Sequence, residues 1–531
     1  MAAIPYDASA SIAASSNYGE CDLLVVGGGI NGAGIARDAA GRGLSVLLCE
    51  QHDLAAHTSS ASTKLIHGGL RYLEYYEFSL VRKALAEREV LLRSAPHIMW
   101  PLRFVMPHAR GQRPAWLIRA GLFLYDRLAR RELLPASHGV DLRKHIAGQP
   151  LKPAFKRGFV YSDGWVDDAR LVVLNAIDAQ EKGAHIHTRT RCTALSREGQ
   201  HWLAALQHSD GTRLTVRARA VVNAAGPWTS DVLQQAAPGK HSQHVRLIKG
   251  SHIVVKRLYA HDHAYIFQHH DGRIVFAIPY EHDFTLIGTT DLDYHGDSAR
   301  VEIDATEIAY LCALSSEYFS QPILPADVVW TYAGLRPLVE EAAAGSKEDA
   351  KAVTRDYRFE LEADGPPLLS IFGGKITTFR KLAEEAVDTI ARELGNRHGH
   401  WTEHACLPGG DLYGAEPQNR SVRDFEQWVI AVQLRYAWLP PQLVARYARA
   451  YGTRLHTLLD QRRELADMGE EIAPGLYAAE LEYLRRYEWA RTPQDVLWRR
   501  SKLGLHLPSD TADKLQAWFD AVRQSDLAAA Q

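Results

Sequence analysis

The chain has 531 residues, roughly three to four times a typical domain of ~150, and its 46% hydrophobic and 23% charged content is near the globular average. Disorder is thereby excluded as the main state, and two or three domains with a large core are expected. Sixty-one Lys plus Arg against 63 Asp plus Glu leave a net charge of −2, which gives no global field to hold nucleic acid, so no nucleic-acid partner is expected and any contact with an anionic membrane must be local.

The first 20 residues, rich in Ala and Ser, lack a basic stretch followed by an apolar run and read as a flexible extension rather than a secretory signal. No window reaches the ~18 uncharged apolar residues that a spanning helix needs, so contact with a bilayer would be interfacial. The five cysteines are odd in number and never spaced C-x-x-C, which argues against a disulfide framework or a zinc or iron–sulfur site and for a reducing compartment.

From Asp22 the sequence runs DLLVVGGGINGAGIARDAAGRGLSVLLCE: an apolar strand, a glycine turn, an Ala-rich helix and a second strand ending at Glu50, the order of a βαβ unit. Gly27, Gly29 and Gly32 form G-x-G-x-x-G at the mouth of that helix. The first allows a tight turn, the second lets a pyrophosphate approach the backbone, and the third lets helix and strand pack closely. The helix N-terminus then offers free N–H groups to phosphate, and Glu50 is placed for ribose hydroxyls. A merely structural turn is the alternative. The motif alone does not separate NAD from FAD.

Through Glu89 the pattern is mostly helical. Between Pro101 and Arg131 there are seven Arg and one Asp, and from Pro114 the spacing suits a helix. At about 100° per residue, Leu117, Ile118, Leu122, Leu124, Tyr125 and Leu128 share one arc, while Arg119, Arg127, Arg130 and Arg131 occupy the other. Such an opposition reads as a basic amphipathic helix near 114–131 lying in a membrane interface; a core helix with a solvated face is the plainer alternative, and Trp116 and Phe123 fall off the apolar face.

Short β-type runs dominate from about Arg157 to Leu338 and read as a second, sheet-rich layer. Asp163, Asp167 and Asp168, close together around a Gly-Trp turn, read as turn and cap chemistry, and no metal site is assigned. After SIFGGKITTFRKLAEEA, where a glycine turn opens a helix, the Gly- and Pro-rich LPGGDLYGAEP reads as a linker with a boundary near 400. The remainder, 401–531, has helical periodicity in pieces such as AAELEYLRRYEWA and ADKLQAWFDAV.

Two later segments resemble parts of flavoproteins of the D-amino-acid-oxidase type: ARAVVNAAGPW (Ala218 to Trp228) and IFGGKITT (Ile371 to Thr378), the latter similar to the late glycine turn that approaches their flavin. With TSSASTKLIHGGLRYLEYYEF (Thr58 to Phe78), YSDGWVDDARLV, RLIKGSHIVV, GTTD, WTYAGLRPL and TRDY, the combination over about residues 20 to 510 resembles the FAD-dependent (aerobic, respiratory) sn-glycerol-3-phosphate dehydrogenases. The resemblance implies an α/β (mixed α+β) architecture: a Rossmann-like FAD-binding domain within 21–400, interleaved with a sheet-rich substrate domain (mainly about 90–160 and 230–340), and a helical C-terminal domain. It implies non-covalent FAD and oxidation of glycerol 3-phosphate to dihydroxyacetone phosphate. Electrons would pass to a membrane quinone, which places the protein peripherally at the cytoplasmic face of a membrane; the oligomeric state stays open, with a homodimer as one form.

For the site, the resemblance adds Ser59, Ser60, Gly226, Gly374 and Thr377 as flavin contacts, and Arg71, Tyr72, Arg336, Arg355 and Lys375 as the substrate site. A phosphate dianion needs several fixed cations, and Arg can offer two donors at once. His252 matches the family's active-site histidine and would take the hydroxyl proton, with Arg336 sharing catalysis by stabilising the developing alkoxide. His67, in HGG, reads as flavin-adjacent structure. Three rivals remain: a soluble oxidase passing electrons from the same substrate to oxygen, an amine or amino-acid oxidase of the same fold, and a flavin-binding protein without catalysis.

Overall fold

The computed structural model describes residues 17–109, 111–236, 245–269, 272–339 and 356–529. The glycine-rich start forms strand β1 (Asn17–Val26), helix α1 (Ile30–Gly41) and strand β2 (Val46–Cys49), with Leu23 to Val26 in parallel register with Val46 to Cys49. Side chains alternate across a strand, so this run feeds two cores at once. Leu23 and Val25 join α1 and the helices Asp168–Glu181 and Phe379–Leu394 on one face, while Leu24 and Val26 pack with Trp202, Leu206 and Val216 on the other.

Across this first sheet the strand order is Arg358–Glu362, Leu368–Phe372, Arg213–Asn223, β1, β2 and His185–His187, with Thr190–Glu198 and His201–His208 folded antiparallel off the Arg213–Asn223 strand. Five parallel neighbours therefore end side by side, at Phe372, Asn223, Val26, Cys49 and His187. In open α/β sheets the crevice beyond those carboxyl ends is where ligands bind.

The second sheet runs Leu292–Asp293, Val245–Lys256, Phe284–Gly288, Ile274–Tyr280, Ala264–Gln268, Met99–His108, Arg157–Val166 and Leu65–Ile66, with Val328–Val339 laid along Val245–Lys256. The β-rich stretch 157–338 thus divides between two sheets rather than forming one layer, since 185–223 belongs to the first. β-branched and aromatic runs specify a strand, whereas its partner is set by tertiary packing.

The arginine-rich segment is helical over Ala115–Tyr125, and its faces differ from those expected. Leu122 and Tyr125 are buried and Ile118 is half-buried, whereas Trp116 (71% exposed), Phe123 (50%), Leu117 and Leu124 lie outward together with Arg119 and Arg127. Apolar and basic groups share the outer face because the inner one is taken by the second sheet: the Tyr125 hydroxyl donates to Asp163 at 2.8 Å and accepts from the Gly68 N–H at 2.8 Å. Arg130 and Arg131 lie beyond the helix. Among the described residues no helix is long and apolar enough to cross a membrane.

The C-terminal helices enclose a core of their own, around Val444, Tyr447, Leu455, Leu481 and Val496. The segment read as a linker is tightly packed: the Leu407 N–H donates to the Ser94 carbonyl and the Thr453 N–H to that of Gly409. Two buried ion pairs lock this domain to the first. Arg170 meets Glu488, and Arg500 Nη2 donates to Asp53 Oδ1 at 2.8 Å. Removing one partner of such a pair typically costs about 3–5 kcal/mol, since the other charge is left buried and uncompensated.

Candidate active site

Beyond the carboxyl ends of the first sheet's strands lies a cleft with two connected lobes. The first is lined by the glycine turn after β1, Glu50 after β2, Arg191, and Ala224 to Trp228. Gly27 has φ +114°, and a Cβ there would stand 2.5 Å from the Ala224 carbonyl oxygen. A Cβ on Gly32 would stand 1.9 Å from the Gly27 carbonyl oxygen, so this position carries the close helix–strand contact rather than a face of the cleft. Gly29 caps α1, and the first residues of that helix, Ile30 and Asn31, line the lobe with it.

Glu50 is oriented by backbone: Gly28 N–H donates to its Oε2 at 2.7 Å and His52 N–H to its Oε1 at 2.8 Å. Burial raises its carboxyl above the usual range, against the lowering effect of these two donors. Ser59 Oγ accepts the Ile30 N–H at 3.0 Å, which ties the 58–60 turn to the start of α1. Gly226 lines the same lobe at φ +57°.

The second lobe continues from Ile30, Thr58, Ser59, Gly373 and Gly374 and is bounded on its far side by the second sheet. Here residues far apart in sequence converge: His67, Tyr72, His252, Asp291, Arg336, Lys375 and Thr377. Thr377 Oγ1 accepts the His67 N–H at 3.1 Å, and Lys375 Nζ stands 3.8 Å from the centre of the Tyr72 ring. Arg336 donates to the Thr290 carbonyl at 3.2 Å and to Asp291 Oδ1 at 3.0 Å, so an ion pair already aims it along the wall.

His252 is 2% exposed, lies flat against Tyr332 with ring centres 4.7 Å apart, and meets Thr63 Oγ1 through Nε2 at 3.0 Å. Its Nδ1 is buried without a hydrogen-bond partner. Burial holds the ring's pKa well below the ordinary histidine value, helped by the charges of Lys64 and Arg336. The imidazole is consequently neutral at physiological pH and able to accept a proton. His67 is likewise lowered, mainly by burial.

Most expected site residues therefore meet in one cleft, and three do not line it. Arg71 turns outward, within 3.4 Å of the Tyr75 hydroxyl. Ser60 points away, its hydroxyl donating to the His57 carbonyl at 3.2 Å. Gly32 lies beneath the turn, and Arg355 is outside the described residues. The three aspartates are taken up separately: Asp163 by Arg88 and Tyr125, Asp167 as the N-cap of Asp168–Glu181, and Asp168 by Lys64.

Sequence reasoning missed Asn31, whose Nδ2 donates to the Gly373 carbonyl at 3.1 Å and whose Oδ1 is buried without a partner at the junction of the lobes. It also missed Thr63, Tyr332 and Asp291. The x positions of G-x-G-x-x-G are where Asn31 could have been noticed. The cleft fits a flavin dinucleotide: a glycine cradle no Cβ could enter, a carboxylate at the ribose position, and orphaned polar atoms at Asn31 and His252 where a bound group would supply partners.

The sequence profile of the FAD dependent oxidoreductase family matches residues 22–380, and that of the C-terminal domain of alpha-glycerophosphate oxidase matches 400–525. A glycerol-3-phosphate dehydrogenase of Pseudomonas aeruginosa is 55% identical over 92% of this chain and 92% of its own length. A D-erythritol 1-phosphate dehydrogenase of Brucella abortus is 48% identical over 94% of this chain and 98% of its own. Among solved structures, the glycerol-3-phosphate dehydrogenase of Bacillus halodurans in complex with FAD superposes with a TM-score of 0.75 at 28% identity, covering 96% of this chain and 91% of that one. The chain belongs to the FAD-dependent oxidoreductase family, among the FAD-dependent glycerol-3-phosphate dehydrogenases.

Proposed function

We propose that the protein oxidises sn-glycerol 3-phosphate to dihydroxyacetone phosphate and passes the electrons to a membrane quinone. The observation that carries this reading is the second lobe, where a buried neutral histidine with an unpartnered Nδ1 shares a cavity with Arg336 and Lys375. FAD held in the cleft would supply the two-electron acceptor for the hydride leaving C2 and the store from which the quinone is reduced. His252 takes the C2 hydroxyl proton, Arg336 offsets the charge developing on that oxygen, and Lys375 with Tyr72 and Arg336 receives the phosphate. Arg336 is half exposed and paired with Asp291, so its strength there depends on substrate closing out water.

Gly27, Gly29, Glu50, Ser59, Gly226, Gly374 and Thr377 would hold the cofactor without a covalent bond. The outward face of Ala115–Tyr125 supports attachment at a bilayer surface: Trp116, Leu117, Phe123 and Leu124 stand exposed beside Arg119 and Arg127, and the neighbouring Tyr75, Tyr76 and Phe78 are exposed too. Apolar groups that enter the interface, flanked by cations for anionic headgroups, are what an interfacial anchor requires.

The Brucella relative brings a second substrate to the test, because a four-carbon polyol phosphate offers the same secondary alcohol and phosphate. Anaerobic addition of sn-glycerol 3-phosphate should bleach the visible flavin band, with kcat/KM higher than for D-erythritol 1-phosphate. Bleaching by an amino acid and not by either phosphate would reject the reading.

A further inference from the structure

Beside the Tyr332 ring on which His252 lies is a buried charge that the reaction as described does not use. Lys64 is 1% exposed and holds a left-handed backbone conformation, φ +59°. Its ammonium donates to Asp168 Oδ1 at 2.7 Å and to the Ser60 carbonyl at 3.1 Å, and stands 5.1 Å from the centre of the Tyr332 ring. Asp168, in the first turn of its helix, also accepts the Ser62 hydroxyl at 2.7 Å and the Ser62 N–H at 3.1 Å. A short segment from Ser60 to Lys64 is thus pinned at three points.

That segment is the one that touches the base. Thr63 Oγ1 meets His252 Nε2, and the Ser62 carbonyl accepts the Tyr332 hydroxyl at 2.8 Å, fixing the ring on which His252 lies. A lysine in the left-handed region is uncommon and persists only where its surroundings over-determine it. A buried ammonium is expensive, and its one ion-pair partner, Asp168, is itself fully buried.

We propose that Lys64, anchored by Asp168, is a positioning residue for the base: it fixes the Ser60–Thr63 segment that orients His252, and its buried ammonium, kept charged by Asp168 against the cost of burial, disfavours protonation of the ring. This rests on His252 being the base. Other charged or titratable groups near the ring are Arg336 and Tyr332 on the paired strand, and Asp291, Asp356, His67, Tyr72 and Lys375 around the lobe, while Asp168 pairs with Lys64 itself. Of the cations, Lys64 is the fully buried one, screened least by solvent, and it bonds to neither substrate-side group.

The test uses holoenzyme and two readouts. The first is anaerobic stopped-flow flavin reduction by sn-glycerol 3-phosphate against pH. The second is titration of the His252 ring by NMR in protein labelled at histidine Cε1, the signal being assigned through His252→Asn. Lys64→Met should move the acid limb of the rate and the His252 titration upward together, by about one pH unit or more, while Lys64→Arg restores both. Thr63→Val, which removes the hydrogen bond and keeps the charge, should slow reduction about fivefold to tenfold with a smaller displacement of either curve. If Lys64→Met does not fold, Lys64→Met/Asp168→Asn removes both charges and should show a lesser upward movement.

Acid limb and ring titration at wild-type positions in Lys64→Met, or in the double variant, overturn the proposal. Should His252→Asn itself reduce flavin at the wild-type rate, the base assignment fails instead, and the NMR titration still reports whether Lys64 acts on the ring.

Discussion

The two lobes of the cleft are built in opposite ways. The first is framed largely by a single stretch of chain, Val26 to Glu50, and closed by 55–59, 190–192 and 224–235, with Arg191 and Asp231 among its side chains. The second is made of side chains from five separate places: Thr63 and His67, Tyr72, His252, Arg336, and Lys375 with Thr377. Binding a dinucleotide calls for close backbone approach, which local sequence can provide, whereas moving a proton and a hydride calls for convergent groups that only the tertiary fold assembles.

The contrast is broken most severely at the first lobe. Gly32→Val places side-chain atoms where the Gly27 carbonyl already lies, so it should yield protein without FAD and cost about 2 kcal/mol or more of stability. Flavin content after gel filtration and a thermal melt check this. In the second lobe the opposite pattern is expected: His252→Ala should retain FAD and slow anaerobic flavin reduction by about 10²-fold or more.

Arg336→Ala and Lys375→Ala come next. Each should raise the KM for glycerol 3-phosphate by about tenfold with FAD still bound, and Arg336→Ala should also lower kcat, since its proposed role includes stabilising the alkoxide. Steady-state kinetics at saturating acceptor separate the two. Arg71→Ala serves as the contrast, because its side chain leaves the lobe, and should change KM little.

The smallest effect lies outside both lobes. Replacing Arg119, Arg127 and Arg130 by Glu should weaken sedimentation with anionic liposomes, each nearby Arg contributing about 1 kcal/mol at low salt, while activity with a soluble dye is kept. With Trp116 and Phe123 now on the outer face, Trp116→Ser/Phe123→Ser should weaken binding to neutral liposomes as well, which charge alone would not predict.

What could be read in the sequence follows the same division. The βαβ unit is legible because strand, glycines, helix and Glu50 are contiguous. The Ala115–Tyr125 helix is legible as a helix, but its inner face is not: that is decided by Asp163 and Gly68, 38 and 57 residues from Tyr125. Nothing local to Lys64 in the sequence points to Asp168, 104 residues on; only the fold places the two together. Arg71, adjacent to Tyr72, is sent outward because the turn of Leu70–Tyr75 directs neighbouring side chains to different sides.

The central claim is that the second lobe oxidises glycerol 3-phosphate with His252 as base and that the flavin is held without help from His252. Single-turnover anaerobic reduction of FAD-replete wild type and His252→Ala by sn-glycerol 3-phosphate tests this most directly. The account predicts rapid bleaching in the wild type and at least about a hundredfold slower bleaching in a variant with the same flavin content. Equal rates in the two proteins, or no bleaching in the wild type, would contradict it.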